Sequence, residues 1–299
     1  MSMDLFDYMR ETQQKESPLA SRMRPKTLDE VVGQKHIIGK NTMLYRAIKA
    51  DKLSSVIFYG PPGTGKTTLA MVIANTTSSE FTQLNATVAG KKDMEDVVKR
   101  AKDLQGMYGR RTILFIDEIH RFNKGQQDYL LPFVEDGTII LIGATTENPY
   151  FEVNPALISR SIIFELHNLE KEDIKELIKR AVSDPVRGMG SYHAMLDDDA
   201  AEFLSYAANG DARAALNGIE LAVLTTDRSD DGMIHITLDT AQECIQKRAV
   251  RYDKSGDNHY DMASLKLQQG ITLSGGEPFL QPAPLAEIAK QEMLFLISL

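Results

Sequence analysis

The chain has 299 residues, enough for two globular domains, and its composition (42% hydrophobic, 25% charged) is typical of soluble globular proteins. The formal net charge of −8 argues against a protein coated in basic charge for nucleic acid, but it leaves room for a local basic stripe. The single cysteine, Cys244, excludes an intrachain disulfide framework and a cluster of thiolate metal ligands. No apolar run approaches membrane-spanning length and Met1–Lys15 is polar, so the sequence predicts a cytoplasmic protein.

An N-terminal segment precedes the first predicted strand. Residues 1–17 predict a disordered tail. In the segment that follows, Leu28, Val31 and Val32 recur at helical spacing, and Thr27 could cap a helix there. The residues alone therefore favour the start of an amphipathic helix in this segment.

The most informative stretch is a glycine-rich run after the first apolar strand. Gly60–Thr68 matches the phosphate-loop pattern G-x-x-x-x-G-K-[ST] at every fixed position. Val56–Tyr59 before it predicts a buried strand and Thr68–Ala74 after it predicts a helix, which is the context that the motif needs. The predicted binding residues are Gly60, Pro61, Pro62, Gly63, Thr64, Gly65, Lys66, Thr67 and Thr68.

This loop predicts a site for ATP and Mg²⁺. Backbone N–H groups of the tight glycine turns and of the helix N-terminus would cradle phosphate oxygens. Lys66 would reach the β- and γ-phosphates as a point charge, and the Thr67 hydroxyl would ligate Mg²⁺. The alternative is a chance glycine-rich turn, which the flanking strand and helix disfavour.

Two adjacent carboxylates follow the most apolar strand. Thr112–Ile116 predicts a strand in the middle of a parallel sheet, and Asp117 and Glu118 come directly after it. Burying unpaired charge is costly, so a metal ion and a water are natural partners for such a pair. We predict Asp117 in the Mg²⁺ shell and Glu118 as the group that polarises the attacking water. A solvated carboxylate pair at a strand end is the alternative.

The remaining pattern divides the chain into a strand-containing part and a helical part. Strands are predicted at Phe81–Asn85, Gly137–Thr146 and Ser161–Leu166, and a charged amphipathic helix at Asp93–Gly106. After about Asn168 the predicted elements are the helices Lys171–Ser183, Asp198–Ala208, Asp211–Leu224 and Leu238–Arg248, with a polar connection at Ser183–Leu196. Asp211 could cap the third of these helices, which would place Arg213 in its first turn.

Several strings together resemble a known family. They are PLASRMRP, RPKTLDEVVGQ, GPPGTGKTT, LFIDEIHRFNKGQQD, LIGATTENP, GDARAALNGIE and RYDKSGDNHYD. The match is to the RarA (MgsA) family of AAA+ ATPases in the clamp-loader clade, and it covers about Pro18 to Asp261. It implies an α/β P-loop NTPase core with a five-stranded parallel sheet, followed by a small all-helical lid. The implied domains are residues 18–167 for the core and 168–250 for the lid, with a partial family segment and an unrelated tail at 251–299.

The resemblance also implies roles for individual residues. It places Val32, Gly33 and Gln34 on the adenine, and it makes Asn85 a polar switch that holds the catalytic glutamate, with a plain turn asparagine as the alternative. The roles implied in catalysis are sensor 1 for Thr146 (alternatives Thr145 and Asn148), an arginine finger acting in trans for Arg160, and sensor 2 for Arg213.

The family's activity implies partners. An ATPase of replication-fork maintenance and recombination would act on DNA at stalled or gapped forks, near the nucleoid. Its implied protein partner is single-strand-binding protein, and the implied oligomeric state is a homotetramer. Met3–Phe6 faintly resembles peptides that dock on sliding clamps, although a plain tail is the interpretation that we favour. The basic residues that could face DNA are scattered: Arg22, Arg24, Lys26, Arg110, Arg111, Lys247, Arg248 and Arg251.

The C-terminal residues depart from the family pattern. Gly270–Leu280 resembles a strand and loop of radical-SAM enzymes of the pyruvate formate-lyase activating type, although one cysteine excludes their iron–sulfur chemistry. We therefore interpret Met262–Leu299 as a graft on a truncated chain, with a genuine C-terminal variant of the family as the alternative. This leaves two rival functions: a nucleotide-binding module with little turnover, because the family's oligomerisation region is missing, and a clamp-loader or branch-migration ATPase, which RFNKGQQD disfavours.

Overall fold

The computed structural model describes the backbone of residues 17–253 and the side chains of residues 17–245. The predictions for the tail at residues 1–16, with Met3–Phe6, and for Met262–Leu299 lie outside these residues. The described residues up to Arg248 form one compact unit that contains the sheet and the lid.

Five parallel strands form the central sheet, as predicted. They are β1 Val56–Tyr59, β2 Glu80–Asn85, β3 Thr112–Asp117, β4 Ile139–Thr145 and β5 Ile162–Glu165. Their order is β2-β3-β4-β1-β5. β3 and β4 are buried at every residue except Asp117, as continuous apolar runs require in a covered parallel sheet. Because all strands run in one direction, their carboxyl ends meet at a single edge.

Helices cover the two faces of this sheet. The helices that precede the lid in the chain are α1 Leu19–Arg22, α2 Lys35–Ile38, α3 Met43–Lys49, α4 Lys66–Thr76, α5 Lys91–Tyr108, α6 Lys124–Glu135, α7 Pro149–Glu152 and α8 Pro155–Ile158. Side chains alternate along β3: Phe115 packs in one cluster with Leu69 of α4, and Leu114 packs in the other with Met94 of α5. The sheet is therefore packed between two apolar layers, one on each face.

The lid contains four helices and one short sheet. The helices are α9 Lys171–Ser183, α10 Asp198–Ala207, α11 Ala212–Thr225 and α12 Leu238–Asp253. Two three-residue strands, β6 Ala194–Leu196 and β7 Ile234–Ile236, pair in parallel between them. The lid is helical, as predicted, but this short strand pair, which includes the end of the predicted connection at Ser183–Leu196, was not predicted. Three residues are too few to show a strand period, and the pair forms because Ile234 and Ile236 are buried in the lid core.

The N-terminal segment also differs from its prediction. Where the amphipathic helix was predicted, after Thr27, the described chain forms a 3₁₀ turn at Leu28–Glu30, and Thr27 makes no side-chain cap. Val31 is extended, so the predicted amphipathic helix is absent. Upstream, Leu19 of α1 lies in the lid's hydrophobic cluster, and its N–H donates to Glu220 of α11 at 2.9 Å. The segment therefore runs from the lid to the sheet along the cavity described next.

Candidate nucleotide site

A cavity of about 450 Å³ lies at the carboxyl edge of the sheet, beneath the lid. This is where open α/β sheets bind their ligands. Its polar wall comes from the phosphate loop, the ends of β3 and β4, and the start of α11, and its apolar wall from the N-terminal segment and the lid. The lining residues with assigned or candidate roles are Arg24, Val31, Val32, Pro62, Gly63, Thr64, Gly65, Lys66, Thr67, Thr68, Asp117, Glu118, Thr146, Arg213 and Leu216.

The loop before α4 has the shape of an anion cradle. Gly65 is the N-cap of α4 with φ 100°, and no side chain caps the helix, so its first N–H groups face the cavity side. Gly60 has φ 143°, and a Cβ there would overlap the carbonyl oxygen of Leu166. Glycine is therefore required at Gly60 both by its dihedral angle and by the close approach of the chain after β5.

Lys66 is held inside this loop. Its side chain is 8% exposed, and Nζ donates to the carbonyl oxygens of Gly60 and Pro61, both at 2.7 Å. Burial lowers the pKa of Lys66, while the nearby carboxylates of Glu118 and Asp117 act in the opposite direction. The ammonium group is thus a desolvated cation beside the carboxylate pair, which favours an anionic ligand.

The carboxylate pair lies across the cavity from the loop. Asp117 is the last residue of β3, and Glu118 follows in the left-handed conformation at φ 54°, ψ 47°. Such a conformation costs about 1–3 kcal/mol in a non-glycine residue and is concentrated at functional sites. Glu118 Oε2 is buried and accepts no hydrogen bond from the described residues, and Nδ1 of His120 lies 3.4 Å away.

The three candidates for sensor 1 separate clearly. Thr146 lines the cavity. Thr145 is fully buried, and its hydroxyl lies 2.8 Å from His120 Nδ1. The Asn148 side chain caps α7 by accepting from the Tyr150 N–H at 3.0 Å. Of the three, only Thr146 faces the space where a phosphate would lie.

The lid reaches the phosphate loop through the start of α11. Asp211 caps this helix, as predicted, by accepting from the Ala214 N–H at 2.9 Å. The Ala212 N–H donates to the Gly63 carbonyl at 3.2 Å, so lid and loop are directly bonded. Arg213 lies in the first turn and lines the cavity.

Sequence reasoning missed the role of Arg24, which it named only among scattered basic residues. Arg24 lines the cavity, and burial lowers its pKa, with Arg213 adding to this effect and Asp117 opposing it. Nη1 donates only weakly, to Met71 Sδ at 3.4 Å. The signal available in the sequence was its place in the string RMRPKTLDEVVGQ, which runs along the cavity.

Of the three residues assigned to the adenine, only Val32 lines the cavity, where Val31 joins it. Gln34 is 6% exposed, and Nε2 donates to the Thr64 carbonyl at 3.3 Å and to the His167 carbonyl at 2.7 Å. Gln34 thus ties the phosphate loop to the connection between sheet and lid. Gly33 does not line the cavity but packs against Leu169, which does, since a Cβ on Gly33 would overlap the Leu169 side chain.

Two other predicted residues do not line the cavity. The Asn85 side chain accepts from the Thr87 N–H and hydroxyl at 2.9 and 2.7 Å, which is the turn arrangement that the sequence left open. Arg160 forms an ion pair with Glu135 at 2.5 Å and donates to the Ala156 carbonyl at 2.8 Å. Neither residue contacts this chain's own phosphate loop in any described interaction.

Known proteins resemble this chain in both sequence and structure. Residues 23–158 match the family model "Holliday junction DNA helicase RuvB P-loop domain", and residues 190–265 match "AAA C-terminal domain". The replication-associated recombination protein A of Bacillus subtilis is 51% identical over 83% of this chain and 58% of that protein. The RuvB branch migration motor of Thermotoga maritima is 31% identical, with a TM-score of 0.61 over 76% of this chain and 73% of that one.

The chain belongs to the AAA+ ATPase family that includes RarA and RuvB. This confirms the predicted family and the P-loop AAA+ fold. The AAA+ chain spans 58% and 65% of the lengths of its Bacillus subtilis and Haemophilus influenzae relatives. In the described residues, no helix is long and apolar enough to cross a membrane.

The comparisons do not support the interpretation of the C-terminal residues as a radical-SAM graft. The match to the Haemophilus influenzae RarA covers 92% of this AAA+ chain at 41% identity. The residues after Asp261 number 38 of 299, about 13%, so a match that leaves out only 8% must enter them. The family model of the C-terminal domain also extends to residue 265. The local resemblance of Gly270–Leu280 came from a short glycine-rich string, which is a weak signal.

The AAA+ cavity has the chemistry that a magnesium nucleotide needs. The uncapped N-terminus of α4 borders the cavity, and three cations line it: Lys66, Arg24 and Arg213. The carboxylates of Asp117 and Glu118 line the same cavity. In the described part of the chain, no group of three His, Cys, Asp or Glu residues could hold a metal alone. Mg²⁺ usually takes one or two protein ligands and completes its shell with water and phosphate, so Thr67 and Asp117 suffice.

Proposed function

We propose that this chain hydrolyses ATP and couples hydrolysis to work on DNA at stalled or gapped replication forks. One observation carries the proposal: a single cavity gathers the phosphate loop, the Asp117–Glu118 pair, Thr146 and Arg213. A site for nucleotide storage needs cations and an anion cradle, but it does not need a glutamate in a strained backbone conformation that lines the same cavity. The strained Glu118 therefore favours turnover over storage.

In this proposal the chain binds ATP by charge and shape. Lys66, Arg24, Arg213 and the first N–H groups of α4 hold the phosphates, and Val31 and Val32 contact the base. Thr67 and Asp117 hold Mg²⁺, which supplies neutralisation of phosphate charge when it is bound. The lid covers the nucleotide, since α11 is bonded to the phosphate loop and its residues line the same cavity.

Glu118 is the proposed base for the attacking water. Its left-handed backbone turns the carboxylate toward the cavity, and burial of Oε2 keeps it from being fully solvated. Thr146 contacts the γ-phosphate as sensor 1. Arg160 lies outside its own cavity, so we assign it to the site of a neighbouring copy, where it would stabilise transition-state charge.

DNA is the proposed partner. Support comes from the names of the relatives, a replication-associated recombination protein and a Holliday junction motor, and from the higher identity to the first. Three of the scattered basic residues have other contacts: Arg24 lines the cavity, Arg110 pairs with Glu80 at 3.3 Å and Arg111 pairs with Asp51 at 2.8 Å. Single-strand-binding protein, the sliding clamp and a homotetramer remain proposals from the resemblance, as does a nucleoid-associated location.

A nucleotide-binding module with little turnover is the second candidate. It is favoured by the position of Arg160, because a single copy lacks that cation in its own site. Specific ATPase activity measured against protein concentration, with and without forked DNA, tests both. A rise with concentration and with DNA supports the ATPase, whereas bound ATP without phosphate release at any concentration supports the module. DNA binding should also weaken steeply with salt, since phosphate contacts dominate such binding.

A further inference from the structure

The structure identifies a partner for the proposed base that the sequence did not predict. The resemblance assigned this role to Asn85. The register does bring Asn85 beside Asp117, but its amide oxygen accepts two hydrogen bonds from Thr87. No described interaction joins Asn85 to Glu118. The side chain that does approach Glu118 is His120, whose Nδ1 lies 3.4 Å from Oε2.

His120 occupies a fixed position. Its side chain is 9% exposed, and it lies in the 3₁₀ turn Ile119–Arg121 between two buried side chains, Ile119 and Phe122. Ile119 packs tightly on β4, where a Cβ on Gly143 would come within 3.1 Å of Ile119 Cδ1. The imidazole therefore has little freedom to turn away from the carboxylate.

The ring is also oriented by a hydrogen bond. Thr145 Oγ1 lies 2.8 Å from His120 Nδ1, accepts from the Glu147 N–H at 3.0 Å and faces the Glu147 carbonyl at 3.4 Å. A hydrogen on Nδ1 is donated to Thr145 Oγ1, and the threonine hydroxyl then donates to the Glu147 carbonyl. Glu118 Oε2 lies 3.4 Å from the same Nδ1, in contact with the ring but without a hydrogen bond of its own from the described residues. We assign this tautomer because the threonine hydroxyl has the Glu147 carbonyl to donate to, and because an N–H dipole at Nδ1 is the favourable neighbour for the buried Oε2.

We propose that His120, rather than Asn85, is the positioning residue that holds Glu118 in its productive orientation, with Thr145 fixing the ring. The inference rests on the proposed role of Glu118 as base. Thr145 directly precedes Thr146, the proposed sensor 1, at the end of β4. His120 contacts both Thr145 and Glu118, so it connects this end of β4 to the proposed base. His120 touches neither nucleotide nor water in this account.

The test measures ATP turnover by the full chain carrying His120→Ala, His120→Asn or Thr145→Val. Misplacing a catalytic group by about 1 Å can cost a hundredfold in rate, so we expect His120→Ala to lower kcat by about ten- to a hundredfold with KM for ATP within about twofold. Asparagine can place an amide donor where Nδ1 lies, so His120→Asn should recover most of kcat. Thr145→Val should lower kcat less than His120→Ala, and the double variant should be no slower than His120→Ala alone.

The matched control is His235→Ala, which removes a histidine that pairs with Asp231 in the lid, and its kcat should equal that of the parent. An unfolding midpoint for every variant separates misfolding from misplacement. In a Glu118→Gln background, His120→Ala should cause no further loss, because it acts through Glu118.

Two failures can be told apart. If Glu118→Gln turns over ATP at the parent rate, the proposed base is wrong. If Glu118→Gln is inactive but His120→Ala keeps its kcat, or His120→Asn is no better than His120→Ala, only the positioning role is overturned. A loss of kcat in Asn85→Ala with none in His120→Ala would return the role to Asn85.

Discussion

The carboxylate of Asp211 lies against the Cα of Gly63, so that a Cβ on Gly63 would overlap Asp211 Oδ1. The phosphate loop and the lid thus meet at a point with no space for a side chain. The same Asp211 caps α11, whose second residue is Arg213. A change in the loop is therefore transmitted directly to the helix that carries a phosphate-reading arginine.

Gly63→Ala should weaken ATP binding and lower the unfolding midpoint. Alanine would be strained at φ 71° and would also push Asp211 away, so we expect a loss of about 1–3 kcal/mol in the free energy of unfolding. Gly232→Ala is the matched control, because it imposes φ 78° in open space and should cost only the strain. Thermal unfolding and an ATP titration check both; equal effects of the two variants would contradict the contact with Asp211.

Lys66→Ala should abolish tight ATP binding. The phosphates lose their desolvated cation, and the Gly60 and Pro61 carbonyls lose their donor. Isothermal titration with ATP measures the loss, and Lys40→Ala, an exposed lysine outside the cavity, serves as the control. Affinity within a few-fold of the parent would rule out the phosphate-loop assignment.

Arg24→Ala should lower ATP affinity by about tenfold or more, because hydrogen bonds to charged groups contribute roughly 1.5–3 kcal/mol. The physical reason is that Arg24 and Arg213 repel each other across the cavity until an anion lies between them. Lys26→Ala removes an exposed cation from the same segment and should change affinity little. If both variants bind ATP equally well, Arg24 only packs against Met71.

The strands, the phosphate loop and the carboxylate pair were predictable because each depends on a local pattern. β1 matches its predicted bounds of Val56–Tyr59 because it is a continuous apolar run that ends at the glycine-rich loop, and α9 matches Lys171–Ser183 because its apolar residues recur at helical spacing. β6 and β7 were missed because a three-residue strand has no period of its own and forms only when its partner is present.

The tertiary contacts at the site were not predictable for the same reason. Arg24 is an ordinary basic residue in sequence, and it becomes a cavity residue only because α1 docks on the lid. Gln34 was assigned to the adenine by resemblance, whereas its amide bonds to Thr64 and His167. Thr64 and His167 lie 30 and 133 residues from Gln34 in the sequence, so a local sequence pattern cannot predict these hydrogen bonds.

Arg160 provides the test of assembly. It is 39% exposed, lies outside its own cavity and is held by Glu135 and the end of α8, so it is preorganised to face outward. Arg160→Ala should keep ATP affinity but lower kcat by at least about tenfold, as expected for an arginine that acts only in the transition state. Arg100→Ala, which removes an exposed arginine paired with Glu80, is the control.

A mixing experiment then decides whether Arg160 acts in trans. Glu118→Gln has no base and Arg160→Ala has no finger, so each should be inactive alone. In a mixture, an Arg160→Ala copy keeps its base and receives Arg160 from a Glu118→Gln neighbour, so ATPase activity should reappear and rise with total protein concentration. Activity that stays absent in every ratio, while the parent's specific activity is independent of concentration, would show that turnover occurs within one copy and that Arg160 serves only its ion pair with Glu135.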